Sequence, residues 1–498
     1  MTVLKKIQLL SILLICFFTM TNCKQTKKDT VITNDHNFLF QYGGKNNDEG
    51  LSVHIDKSGN SYVGGYYSQV GKTINDSIQL EFPMSVGKSA MIQKTDSEGA
   101  IVWQKFLLGQ TEVAKTDINN IYTDSKNNIY LSGNFNGTVD FDPSAKSTLI
   151  TGTGTDGYLL KLSPLGELLW VNQYGSPGFD NAHSIVVDEN DYLYTTAEFM
   201  DTIQLNGLNN EKINLINTAS LTSPNVFIQK LNNKGQTIWA KVLNTSIMSQ
   251  GVGLCLDKKG NLYNSGFFIG KADFNPGKKE NYINSVSEDQ LDIYVLKLTN
   301  NGDFVWVNTI GGVGNEMTFT VAVDTKQNAY ISGNFSDSLI IKELGNKKIK
   351  SKGLQDFFIS KIDNKGKIEW FKSLGSGGQE NGREIAIDSD NDLFITGFYS
   401  DTLEIKSPNY TKTLISKGNI DMFLLKMNSD GDYIWANRYG GEGNESGWSI
   451  DVDNTHLYLT GFFSNTIEFN HLKEKKVLDS NGELDFFFTK FQKNKFQK

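Results

Sequence analysis

The chain has 498 residues, a formal charge of −8, five His and three Cys with no CxxC pair. Outside the N-terminal linker no Lys/Arg block offers the basic face with which nucleic-acid binders displace counterions. Three Cys build neither a disulfide framework nor a zinc cluster. With 38% hydrophobic and 11% aromatic residues, 7 Pro and 47 Gly, the composition is that of a folded chain rich in β turns.

The chain opens with Lys5 and Lys6, followed by an apolar run, Ile7–Met20, too short to span a membrane comfortably, and then Cys23. This resembles the signal peptide of bacterial lipoproteins. The resemblance implies that residues 1–22 are removed, that Cys23 carries a lipid, and that 23–37 form a flexible tether. The expected location is then the cell envelope, at the outer membrane or cell surface, with the membrane reached through the lipid. Asn22 departs from the Gly, Ala or Ser common before such a Cys, and an ordinary secretory signal is the alternative. Cys255 lies in an apolar strand and reads as a small buried hydrophobe.

From residue 38 to the end, one unit recurs with a period of roughly 65 residues. Lys94, Lys161, Lys230, Lys297, Lys361 and Lys426 are each followed nine residues later by Trp103, Trp170, Trp239, Trp306, Trp370 and Trp435. A seventh Lys, Lys490, closes the series. The Trp opens one strand. After a Gly/Asn-rich turn an apolar strand ends on Asp56, Asp124, Asp188, Asp257, Asp324, Asp388 or Asp453, where Asp accepts backbone N–H bonds in a tight turn. The next strand reads aromatic-x-x-Gly-x-aromatic, as in Tyr263-Gly266-Phe268, with Ala197 replacing Gly in the third repeat. An excursion with room for an extra hairpin leads to Asp-x-aromatic-aliphatic-x-Lys, the third strand, and the following Gly and Trp begin the fourth.

Motifs such as GGEGNESGWSIDVD, LYLTGFF, TVDFDPS and DMFLLKMNSDGDYIWA resemble the bacterial SBBP-type β-propeller repeat over about residues 38–491. The expected fold is all-β: a seven-bladed propeller of four-stranded antiparallel blades over 38–498, with repeat boundaries near 38, 103, 170, 239, 306, 370 and 435. Phe38 stands eighteen residues before Asp56, in the Trp position. Phe38–Tyr42 is therefore expected to pair with Phe486–Phe491 and close the ring, removing two open edges.

Four sets of residues are candidates for chemistry. The repeated Lys and Asp form either a charged ring or a structural pairing, and recurrence in every unit favours structure. Eight residues before each turn Asp stand Asp48, Asp180, Glu316, Glu380 and Glu445, with Thr116 and Ser249 in the other two places. As a ring at the channel mouth they would suit Ca²⁺, and otherwise they cap turns. Asp388-Ser389-Asp390-Asn391-Asp392 imitates the start of a calcium loop but lacks its Gly and distal Glu, so turn chemistry explains it. Five residues before each turn Asp the chain places Leu51, Asn119, His183, Val252, Phe319, Arg383 and Trp448. A column this varied is a poor core, and His183, Phe319, Arg383 and Trp448 are the ligand-binding candidates. No HExxH, GxSxG or P-loop is present, so no catalytic residue and no cofactor is assigned. The expected role is a protein-binding or scaffolding module of the bacterial envelope, the alternative a glycan-binding or glycan-cleaving surface propeller.

Overall fold

A computed structural model describes residues 37–498 apart from 69–70, 76–77, 218–222, 471–474 and 495–498. Cys23, the signal segment and nearly all of the tether lie outside the described residues. Apart from two single 3₁₀ turns, Leu208–Asn210 and Lys342–Leu344, the regular structure described is all β strand.

The third repeat shows the plan. Asn181–Val187 pairs with Leu193–Phe199, which pairs with Asn225–Leu231, which pairs with Thr237–Leu243, all antiparallel. The two middle strands are buried along their whole length, whereas the fourth is half-buried. Neighbouring sheets cover both faces of the middle strands, which is why they read as continuous apolar runs rather than as an alternating pattern. The cores therefore lie between sheets. One joins Tyr330, Phe357 and Ile359 of one repeat to Ile395, Phe423 and Leu425 of the next.

The repeated residues hold sheet to sheet. Trp103, Trp170, Trp239, Trp306 and Trp370 donate Nε1–H to backbone carbonyls of Pro164, Asn233, Asn300, Asn364 and Ser429, at 3.1–3.3 Å, in the turn of the following repeat. Each Asp turn is tied as its sequence suggests. Asp124, for instance, accepts from Lys126 N, Asn128 N and Asn128 Nδ2, and Lys161 Nζ lies 3.1 Å from its Oδ2 and 2.6 Å from the Tyr130 hydroxyl. The Lys and Asp columns are thus structural joints.

Phe38–Gly44 pairs with Asp485–Gln492, from Phe38↔Lys490 to Tyr42↔Phe486. Phe38 packs on Gly99, as Trp170 does on Gly235, so it fills the Trp place.

The expectation of seven discrete four-stranded blades is not met. Five blades stand as separate sheets, four of four strands and one of six. The strands of the first two repeats run together into a single eight-stranded sheet. The cause lies in the excursions. In most repeats the excursion forms its own two-stranded sheet, such as Thr402–Ser407 with Tyr410–Ile415. In the second repeat it continues the long strands Ile129–Asp140 and Leu149–Leu162, and its base pairs Leu108↔Asp140 and Gly109↔Val139 with the preceding unit. In the first repeat Gly71–Ile74 adds to the outer edge of Phe38–Gly44, making the closing sheet six-stranded.

Candidate functional site

In each repeat the first strand carries a β-bulge at the same place. The register slips across Leu51, Asn119, His183, Val252, Phe319, Arg383 and Trp448, which are left out of the pairing with the second strand. A bulge leaves its extra residue unpaired and re-aims its side chain. Here all seven turn to the axis, where the first strands converge on a cavity of about 660 Å³. The column that varied most in the sequence is thus the one that looks into the channel. The bulge also explains the glycine of the second strand: a Cβ on Gly266 would strike the Gln250 carbonyl and the Tyr294 ring hydroxyl.

In four of the seven places the side chain after the bulge ties neighbouring first strands together. The innermost strand is an open edge whose N–H groups need acceptors. Ser52 Oγ accepts from Ile121 N, Asn120 Oδ1 from Ile185 N, Glu384 Oε2 from Ile450 N and Ser449 Oγ from Val53 N, at 2.9–3.2 Å. Burial pushes Glu384 up to about 7, its bonds to Ser449 and Ile450 offsetting part of the effect. Deeper in the channel, burial raises Asp451 to about 7, and its Oδ2 accepts from Ile55 N at 2.9 Å. His54 stacks on Tyr122 at 4.5 Å, with Nδ1 3.5 Å from Asp451 and Nε2 3.0 Å from the Thr123 hydroxyl. Burial pulls the His54 ring down to about 4. Glu384, Asp451 and His54 were not singled out in the sequence. The signal was there in part, since Glu384 is the one acid in a column of Ser, Asn, Gly and Thr, and Asp451 the one acid in a column of His, Tyr, Val, Cys and Ala. Cys255 also lines this channel; it is half-buried, packs against the neighbouring core, and burial raises its thiol.

His183 and Arg383 occupy equivalent positions with different surroundings. His183 Nε2 lies 2.8 Å from Glu198 Oε1 and 3.1 Å from Asn181 Nδ2, while Asn181 Oδ1 accepts from Asn119 and Asn134. The Arg383 guanidinium carbon lies 4.1 Å from the Trp448 ring centroid, 4.6 Å from Phe319 and 5.8 Å from Phe398. Burial lowers Arg383 to about 10, and Glu49 pulls weakly the other way. Three of the four sequence-level ligand candidates are thereby brought into one cluster, and His183 lines the same channel.

The carboxylate column lies elsewhere. Asp48, Asp180, Glu316, Glu380 and Glu445 are fully buried and do not line the channel, so they form no ring at its mouth. They stand at the start of the first strand before the bulge, and all but Glu316 cap the preceding turn. Asp48 accepts from Gly44 N and Ser68 N, Asp180 from Ser176 N and Met200 N, Glu380 from Ser376 N and Glu445 from Gly441 N, at 2.6–3.1 Å. Each also feels a second buried acid at the start of a third strand: Asp485, Asp156, Asp292, Asp356 and Asp421 in turn. Burial is the main cause that raises the five, to about 7, 6, 9, 7 and 8. In the two remaining repeats both members are neutral: Thr116 with Ser89, and Ser249 with Asn225. The two columns change together because they meet. Among the described residues no group of three or more His, Cys, Asp or Glu is arranged to hold a metal ion. The acidic segment at Asp388 is a turn, its Oδ1 accepting from Asp390 N and Asp392 N and its Oδ2 lying 2.8 Å from Lys493 Nζ.

No family model matches the chain. An uncharacterised WD repeat-containing protein of Acanthamoeba polyphaga mimivirus is 24% identical over 246 residues, 43% of this chain and 18% of that protein's length. The match therefore spans less than a fifth of that relative. Among solved structures, a protein of unknown function from Dyadobacter fermentans is 10% identical with a TM-score of 0.41, covering 78% of this chain and 97% of its own. Another from Bacteroides caccae is 11% identical with a TM-score of 0.34, covering 70% and 89%. The chain is a β-propeller protein built from repeats, and at these identities the likeness concerns the fold alone.

Proposed function

We propose that this propeller is a protein-binding module of the SBBP-repeat type, held at the bacterial envelope by a lipid on Cys23, with its partner site at the bulge-lined end of the channel. The observation that carries this reading is the bulge ring. A scaffold repeated almost residue for residue presents seven dissimilar side chains at one mouth, which is how a rigid fold carries a specific surface. The loops at the same end of the sheets add exposed apolar side chains, among them Val113, Val286 and Leu354 at 68%, 60% and 72% exposure, of the kind that protein interfaces cover. The distant WD repeat-containing relative is in keeping with this reading.

Affinity purification of the full-length chain from its native membrane tests it, with the Phe319→Ala/Trp448→Ala variant as control. A stoichiometric partner retained by the wild type and lost by the variant, at matching thermal stability, is the expected result. Absence of any partner, with binding on a glycan array instead, would replace this reading with the glycan one. Radiolabelled palmitate incorporation that persists after Cys23→Ala would remove the lipid anchor from it.

A further inference from the structure

The sites at His183 and Arg383 are two copies of one place in the repeat, and their neighbours differ. Beside His183 stands Glu198, whose carboxylate lies 2.8 Å from the ring. The equivalent of Glu198 beside Arg383 is Phe398, and the equivalent of Asn119 is Phe319. Asn334 and Asn381 repeat Asn134 and Asn181. The cation that is always charged therefore sits where the equivalent of Glu198 is an aromatic ring, not an anion. No carboxylate of the described residues lies within 4.0 Å of Arg383. Its Nε is buried without a hydrogen-bond partner. Glu49, the acid that Arg383 feels, is already bound by the Tyr66 hydroxyl at 2.6 Å.

The rest of the cluster fixes the guanidinium rather than neutralising it. Trp448 and Phe319 hold it through the faces of their rings. What remains is the edge of a planar fork, with paired N–H donors in the geometry that matches a carboxylate. In a partly desolvated channel that pairing is stronger than in water.

We propose that Arg383, held by the rings of Trp448 and Phe319, anchors a carboxylate of the protein partner, from an acidic side chain or a C-terminus. The inference rests on the protein-binding reading above and names its chemistry.

The test uses the full-length protein and a short-peptide library immobilised through its N-termini, in free-acid and C-terminally amidated forms. Selected peptides are then remade with Asp and Glu changed to Asn and Gln. Loss of one charge-assisted pair should weaken binding roughly ten- to a hundredfold, and the same loss should follow from Arg383→Gln. If amidation causes it, the source is a C-terminus; if the Asn/Gln change does, an acidic side chain. Phe398→Glu supplies an internal carboxylate as Glu198 does for His183, so it should abolish binding while thermal stability is kept or raised, which separates a filled site from a misfolded one. Peptides bound with equal affinity by wild type and Arg383→Gln, or indifferent to both carboxylate changes, would overturn the carboxylate site and leave the protein-binding reading standing. Binding of acidic glycans through Arg383 with no peptide selected would overturn both.

Discussion

Glu316 is the most perturbed of the buried acids, and its neutralisation should make the protein more stable at high pH. Burial pushes it up to about 9, the nearby Asp292 charge adds to this, and the poorly aligned Gly312 N–H offsets only part. Asp337 also raises Glu316, while Lys342 acts on Asp292 in the opposite sense. A carboxylate raised in the folded state binds a proton that the unfolded chain has already released. Stability is then full below the unfolded value, declines as pH climbs, and reaches its minimum above the folded value. At about 1.4 kcal/mol per pH unit, a group that ordinarily titrates near 4.5 costs roughly 3 kcal/mol by neutral pH. Glu316→Gln removes that cost while keeping shape and supplying an N–H₂ toward Asp292. In a chain of this size it should raise Tm by roughly 3–6 °C at about pH 8 and leave it little changed near about pH 5. Calorimetric melts of both proteins across that range provide the measurement. Parallel profiles, or a variant less stable at the alkaline end, would refute the reasoning.

The closing strand should be equally sensitive. Phe40 is fully buried and packs on Phe488, and Phe40→Ala is expected to cost about 3–5 kcal/mol in denaturant titrations; deletion of residues 38–44 should yield an aggregating protein, and an unchanged midpoint would show that the strand is dispensable. Trp170→Phe keeps most of the ring packing but loses the bond to the Asn233 carbonyl, so about 1 kcal/mol should be lost; a much larger loss would mean that the indole acts through packing. Chelation with EDTA, or added calcium, should leave Tm unchanged near neutral pH, because the buried acids answer turn N–H groups and a second acid rather than a ring of oxygens; a calcium-dependent rise in Tm would place a cation at Asp48, Asp180, Glu316, Glu380 or Glu445.

Much of the candidate site was legible because repetition separates packing from exception. Trp448 and Arg383 stood out as residues that break a column, and the structure puts both in the channel. The bulge that aims them there was not legible. Gly447 read as the end of a Gly/Asn-rich turn, and only its pairing with Gly461, and that of Ser449 with Thr460, reveals that Trp448 is skipped. The pairing of Asp292 with Glu316 was also hidden, although the joint change to Asn225 with Ser249 and to Ser89 with Thr116 was the trace that the contact left.

The sequence by itself determined the unit: which residues form each strand, where Asp closes a turn, where Trp and Lys join neighbours, and that Phe38 stands in for a Trp. These are local or nearest-neighbour matters, written again in every repeat. The tertiary structure alone decided how many sheets remain separate, which acids meet, and which cation lacks a partner. Those depend on where an excursion hairpin ends relative to the strand of the previous unit, as at Leu108↔Asp140, and on what the next sheet presents, as with Phe398 where Glu198 stands in the earlier copy.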